Sequence, residues 1–207
     1  MTLTGQDWRR MLLHASEVLK NNSAVLSQLD SEIGDGDHGV TIAMIAGEMA
    51  AAVQAWDGQS LKGLFDDLGW KAMGVNGGSA GPLWGSFFQG MGEALDAGAE
   101  MDSAALKKAL RGGLDGIGFL SKAKVGDKTM MDALIPAVET AEKSEDGDPV
   151  SILKEAAAAA RAGSDRTVEY VAKYGRAKNL KEGSLGHKDP GSASFTLLLE
   201  SLAEAAR

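Results

Sequence analysis

Apolar residues recur at steps of three and four along most of this chain. Trp8, Met11, Leu12, Ala15, Val18 and Leu19 share one face of a helix, and Ala24 to Leu29 carries the helical pattern into an acidic segment. Met44, Ile45, Met49 and Val53 predict a long helix that starts just after that segment, and Leu61, Leu64, Leu68 and Met73 predict another. Further helices are expected through Phe87, Phe88, Met91 and Leu95, over Ala104 to Leu120, from within KVGDKTMMDAL, from Ile152 to Tyr174, and from Ala193 to Ala206. Only VTIAMI and SFTLLL could compete as strands, and each merges into a helix-favouring run. Composition shifts little along the chain, and the one plausible linker, KSEDGDPVS, is short. The pattern predicts a single all-α domain over residues 1–207, a bundle of about eight antiparallel helices.

The composition narrows the function. Hydrophobic residues make up 44% of the 207, enough for a substantial core. The formal net charge of −8 argues against general binding to nucleic acid or to anionic lipid. A local site can still take a phosphate if cations sit between. The absence of cysteine excludes disulfides, a thiol nucleophile and a cysteine zinc site. The N-terminal MTLTGQDWRR has no apolar run, and no stretch reaches the length of a membrane span, so a soluble cytoplasmic protein is the expectation.

Four glycine-bearing loops interrupt the helices, at residues 34–39, 74–81, 126–128 and 186–191. In a bundle, alternate connections lie at the same end, so distant loops can meet. The first loop, DSEIGDGDHG, places Asp30, Asp35 and Asp37 close together, where like charges repel. GDGDHG matches a dinucleotide fingerprint in letters only: no strand precedes it, and its aspartates would face a pyrophosphate. An EF-hand also fails, because the twelfth position from Asp30 or Asp35 is Thr41 or Ala46 rather than Glu. A hard-cation site and a solvated acidic turn both remain. NGGSAG offers bare backbone amides before a helix, which suits an anion, or it is a simple connection. Asp127 and Thr129 read as possible caps of the next helix, and GHKDPG as a Pro-Gly turn. No Ser-His-Asp arrangement can be assigned, and His14 reads as a packed or half-exposed helix residue.

Taken together, LDSEIGDGDHG, GGSAGPLWGSFF, GDKTMMDAL and GRAKNL with SLGHKDPGSAS resemble the nucleotide-binding L subunit of dihydroxyacetone kinase. The same module forms the C-terminal domain of single-chain, ATP-dependent dihydroxyacetone kinases. The resemblance runs from about residue 5 to residue 205, with the motifs in family order. It implies a barrel of eight antiparallel helices with the nucleotide at one end. It also implies that Asp30, Asp35 and Asp37 hold two magnesium ions, which bind the phosphates of ADP or ATP and so offset the carboxylate repulsion. His38, Gly39 and Thr41 would line the phosphate side, with Gly78, Ser79 and Ala80 approaching from the glycine loop. Met130 would pack near the adenine, and Arg176 with Asp189, Pro190 and Gly191 would close the base and ribose end. Family members vary after DHG, so Thr41 matches loosely.

The implied activity is phosphoryl transfer to dihydroxyacetone held on a separate K subunit. In the phosphotransferase-system branch, ADP stays bound and is rephosphorylated by a phosphohistidine M subunit; a stand-alone chain of this length favours that branch. In the other branch, ATP exchanges freely and the acceptor extends to related short keto-sugars or tetroses. Some L subunits also act on a transcription regulator, so a regulatory binding module is the rival of a different class. Self-association as a homodimer is left open.

Overall fold

The computed structural model describes residues 1–206. Its helices are α1 (Gly5–Asn21), α2 (Ser23–Ile33), α3 (His38–Ala55), α4 (Leu61–Met73), α5 (Ala80–Glu93), α6 (Ser103–Gly118), α7 (Met131–Lys143), α8 (Pro149–Arg166) and α9 (Pro190–Ala205). Several begin where a side chain takes up otherwise free N–H groups. Thr4 and Asp7 close a capping box on α1, Ser60 accepts from Gly63 at α4, and Asp102 accepts from Ala105 at α6. Asp148 and Asp189 cap α8 and α9, each followed by a proline, whose missing N–H costs nothing there.

Eight of these helices, α1 and α3 to α9, form a ring. Each packs against its neighbour in sequence, and α9 closes the circle against α1. The helices pack closely where glycines face each other: a Cβ on Gly90 of α5 would lie 2.1 Å from the carbonyl oxygen of Gly112 on α6. Inside the ring, Trp8 meets Phe65 edge-on at 5.3 Å, and Phe87 meets Phe195 edge-on at 4.9 Å. The ninth helix, α2, stands outside the ring at one end, packed on α3 and α9. No helix among the described residues is long and apolar enough to cross a membrane.

The all-α reading holds, and VTIAMI and SFTLLL lie inside α3 and α9. Three details differ from the sequence expectation. The long helix from Ile152 stops at Arg166 rather than Tyr174. Beyond it the chain turns through a short 3₁₀ segment, Thr167–Glu169, and is drawn across to Asp127, which accepts from the Lys173 backbone at 3.1 Å and from its ammonium at 2.6 Å. Asp30 does not end its helix; α2 continues to Ile33. Finally, Leu3–Thr4 pairs antiparallel with Glu100–Met101, a strand pair too short to leave a pattern in the sequence.

Candidate functional site

α3, α5, α7 and α9 all start at one end of the ring. Their first turns, through His38, Ala80, Met131 and Pro190, line a shared cavity of about 570 Å³. Free N–H groups and the positive ends of four helix dipoles therefore face a single space. The cavity has the size of a small-molecule site.

The acidic loop forms one rim. Asp30, Asp35 and Asp37 each place a carboxylate oxygen such that all three lie within 4.8 Å of one another. The loop achieves this with Gly36 at φ +79°, and Gly34 leaves room where a Cβ would lie 2.3 Å from Asp30 Oδ1. Asp30 Oδ2 also accepts from the His38 backbone at 3.2 Å, which fixes α2 to the start of α3. Three hard oxygen donors converging beside helix N-termini fit magnesium, which takes a few carboxylates and reaches on to phosphate oxygens.

His38 connects this rim to the opposite one. Its Nε2 lies 2.9 Å from Ser194 Oγ, and that hydroxyl donates its one proton to the Gly191 carbonyl at 3.0 Å. Burial pushes its pKa below the ordinary value, while the charges of Asp30 and Asp37 pull it the other way.

The glycine loop packs directly on α3. A Cβ on Gly77 would fall 2.1 Å from Thr41 Oγ1, whereas one on Gly78, at φ +60°, would meet nothing within 4 Å. Gly78, Ser79 and Ala80 line the cavity, as do Thr41, Met130, Arg176, Asp189, Pro190 and Gly191. Arg176 forms ion pairs with Asp35 and, at 3.5 Å, with Asp37. Gly39 is the exception among the expected lining residues. It lies against α2, where a Cβ would come within 1.9 Å of the Ser23 carbonyl oxygen, and its own carbonyl accepts from Ser23 Oγ. Its place in the site is to let α2 close on α3.

Behind the Met130 side lies a buried polar cluster that the sequence reading did not identify. The Asp132 carboxylate accepts from the backbones of Gly126 at 2.6 Å and Thr129 at 2.7 Å, shaping the loop that carries Asp127 and Thr129, the expected caps of α7. Thr129 does accept from Met131, but Asp127 instead turns back to the Lys124 backbone and to Lys173. Burial raises the pKa of Asp132 against those hydrogen bonds. Burial alone would raise Asp127 as well, but Lys173 and the Lys124 N–H outweigh it and leave the pKa lowered. Asp189 is buried and pushed up to about 6, chiefly by desolvation, with the nearby Asp132 charge adding to it. Lys128 is buried too, and Tyr174 and Gly175 join the cavity lining. A lysine and a tyrosine in loops carry no sequence signal for this; their places depend on how the 167–176 segment crosses to Asp127.

The DAK2 domain family model matches residues 32–204. Over 198 residues the chain is 34% identical to the ADP-binding subunit DhaL of PEP-dependent dihydroxyacetone kinase 1 from Listeria innocua, covering 95% of each. It is 31% identical to the corresponding ADP-binding subunit DhaL of the PEP-dependent kinase from Escherichia coli, covering 100% of each. The fold matches the crystal structure of the dihydroxyacetone kinase from C. freundii in complex with AMP-PNP and Mg2+, with a TM-score of 0.71 and 30% identity. That match covers 95% of this chain but 33% of the kinase, so the chain spans about a third of that protein. On the family match and on relatives aligned along nearly their whole length, the chain belongs to the DAK2-domain family, in the company of the ADP-binding DhaL subunits of dihydroxyacetone kinases.

Proposed function

We propose that this protein is the nucleotide-binding, phosphoryl-transfer subunit of a dihydroxyacetone kinase, working with a separate substrate-binding K subunit. The observation that carries this reading is the convergence of the Asp30, Asp35 and Asp37 carboxylates beside a cavity onto which four helices open by their N-termini. In this reading the three carboxylates hold two magnesium ions, which supply charge neutralisation at the nucleotide phosphates. The backbone at Gly78, Ser79 and Ala80 binds phosphate oxygens, and His38 and Thr41 line the same side. Met130 packs on the base, and Arg176 with the Asp189–Gly191 turn closes over the ribose. The site residues form a single domain with the rest of the chain.

We favour the branch in which ADP is retained and rephosphorylated by a phosphohistidine donor. Support comes from the relatives matched along nearly their whole length, which are ADP-binding subunits of PEP-dependent kinases. A second reading, with ATP as an exchanging substrate, draws on the likeness to the longer C. freundii kinase, whose complex holds AMP-PNP. To separate them, the purified protein is desalted and denatured, and any released nucleotide is identified. A K subunit is then added with either a phosphohistidine donor or free ATP. Near-stoichiometric ADP, with turnover supported by the phosphohistidine donor and poorly by ATP, is expected. Nucleotide lost on desalting, with sustained ATP-driven turnover, would establish the second reading. Absence of turnover with either donor would leave neither kinase reading standing and turn attention to a regulatory module.

A further inference from the structure

Lys128 is 2% exposed and sits at φ +60°, a backbone conformation that a side chain rarely adopts. Its ammonium donates to two neutral carbonyls, that of Thr167 at 2.6 Å and that of His187. It has no ion pair among the described residues, although Asp189 and Asp132 are near enough for their charges to offset part of the burial that lowers its pKa. Burying an ammonium without an ion-pair partner is costly, and an apolar side chain would fill the same space at less cost. The three segments it joins are therefore the informative part. The first is its own loop, which continues into Met130. The second is the turn at Thr167, whose Oγ1 accepts from the Asp189 backbone at 3.0 Å. The third begins at His187 and runs to Gly191, where a Cβ would lie 3.6 Å from Met130 Cβ.

Resting on the nucleotide reading above, we propose that Lys128 is a positioning residue for the base-and-ribose end of the site. By fastening the Met130 loop to the Asp189–Gly191 turn, it sets how long the nucleotide stays bound. The metal and phosphate end is built from α2, α3 and the glycine loop, none of which receives a hydrogen bond from Lys128. The two ends are thus separable. Loosening the Lys128 end acts on dissociation, the step in which closely related sites differ most.

The test uses two probes on the full chain with magnesium: an N-methylanthraniloyl derivative of ADP, and inorganic tripolyphosphate, which has neither base nor ribose. Lys128→Met keeps the length of the side chain and removes its donors. The expected result is dissociation of the ADP derivative about tenfold faster or more, with tripolyphosphate affinity changed less than about twofold and circular dichroism unchanged. Equal weakening of both probes would indicate general damage and overturn the proposal, as would an unchanged dissociation rate. If Lys128→Met does not fold, Lys128→Gln decides. It keeps a polar donor but is too short to hold the Thr167 and His187 carbonyls together, and the proposal requires the same selective acceleration. A parent protein that binds neither probe would overturn the nucleotide reading and this proposal together, whereas a binding parent with an unaltered variant overturns this one alone.

Discussion

Arg176 and Asp35 form an ion pair across 141 residues of chain, and the same guanidinium lies 3.5 Å from Asp37. The cation that closes one side of the cavity therefore contacts two of the three carboxylates proposed to hold metal. The pair is well exposed, so it is worth at most about 1 kcal/mol, roughly a fivefold effect on an equilibrium.

Arg176→Ala should have opposite effects on two ligands. Magnesium alone should bind up to about fivefold more tightly, because the carboxylates lose a competing cation. ADP with magnesium should bind roughly tenfold more weakly if Arg176 is, as proposed, a charged group closing over the nucleotide. Calorimetric titration of each ligand checks this; weakening of both would mean that Arg176 supports the carboxylates rather than competing for them.

The two glycines of the second loop should respond differently. Gly77→Ala forces a methyl into Thr41 and should destabilise the fold and abolish nucleotide binding together. Gly78→Ala meets open space and strains only its positive φ, at a cost of about 1 kcal/mol. Gly78→Val should leave the circular dichroism spectrum intact while weakening ADP binding, since a branched side chain blocks close approach of phosphate to the backbone. Equal ADP affinity in Gly78→Val and the parent would remove the glycine loop from the site.

Asp189 has a raised pKa of about 6 against an ordinary 3.8, because burial penalises its charge. The folded state therefore holds this proton more firmly than the unfolded state does. Stability attributable to Asp189 is greatest below about pH 4, falls as pH climbs toward 6, and stays lowered above that. Asp189→Asn keeps an oxygen to cap Ser192 and removes the titration. Between pH 4 and 7 the stability of the parent minus that of the variant should fall by on the order of 2–3 kcal/mol. Denaturant melts of both proteins across that range provide the check, and a constant difference would contradict the assignment.

The amino-acid sequence made the helices legible because their apolar spacing is strong, whereas their closure into a ring was implied by the resemblance to a family and not by that spacing. VTIAMI and SFTLLL looked strand-like because α3 and α9 are apolar on more than one face. α9 packs against α1, α7 and α8 in the ring and against α2 outside it, so few of its positions needed to be polar. The end of α8 is hidden in the sequence because Val168, Val171 and Ala172 continue a helical spacing past it. Beyond Arg166 the chain is tied through Lys173 to Asp127, 46 residues earlier, and no local pattern reports that tie. Most of the candidate site was legible through the four loops and their resemblance to a family. Lys128 was not, since a lysine in a glycine-bearing loop is ordinarily exposed, and its burial depends on carbonyls 39 and 59 residues away. Gly39 was legible as a motif residue, but its contacts are with α2 rather than the cavity.

Asp30, Asp35 and Asp37 are proposed to bring a nucleotide to this cavity through magnesium. All three side chains are at least partly exposed, so replacing any of them with asparagine should leave the fold and its melting temperature nearly unchanged. The most direct measurement is a calorimetric titration of ADP into the parent and the three Asp→Asn variants, each with magnesium and with a chelator. The expected result is tight binding to the parent with magnesium, at least tenfold weaker binding in the chelator, and at least tenfold weaker binding in every folded variant with magnesium. ADP binding that is indifferent to magnesium, or undiminished in all three variants, would contradict it.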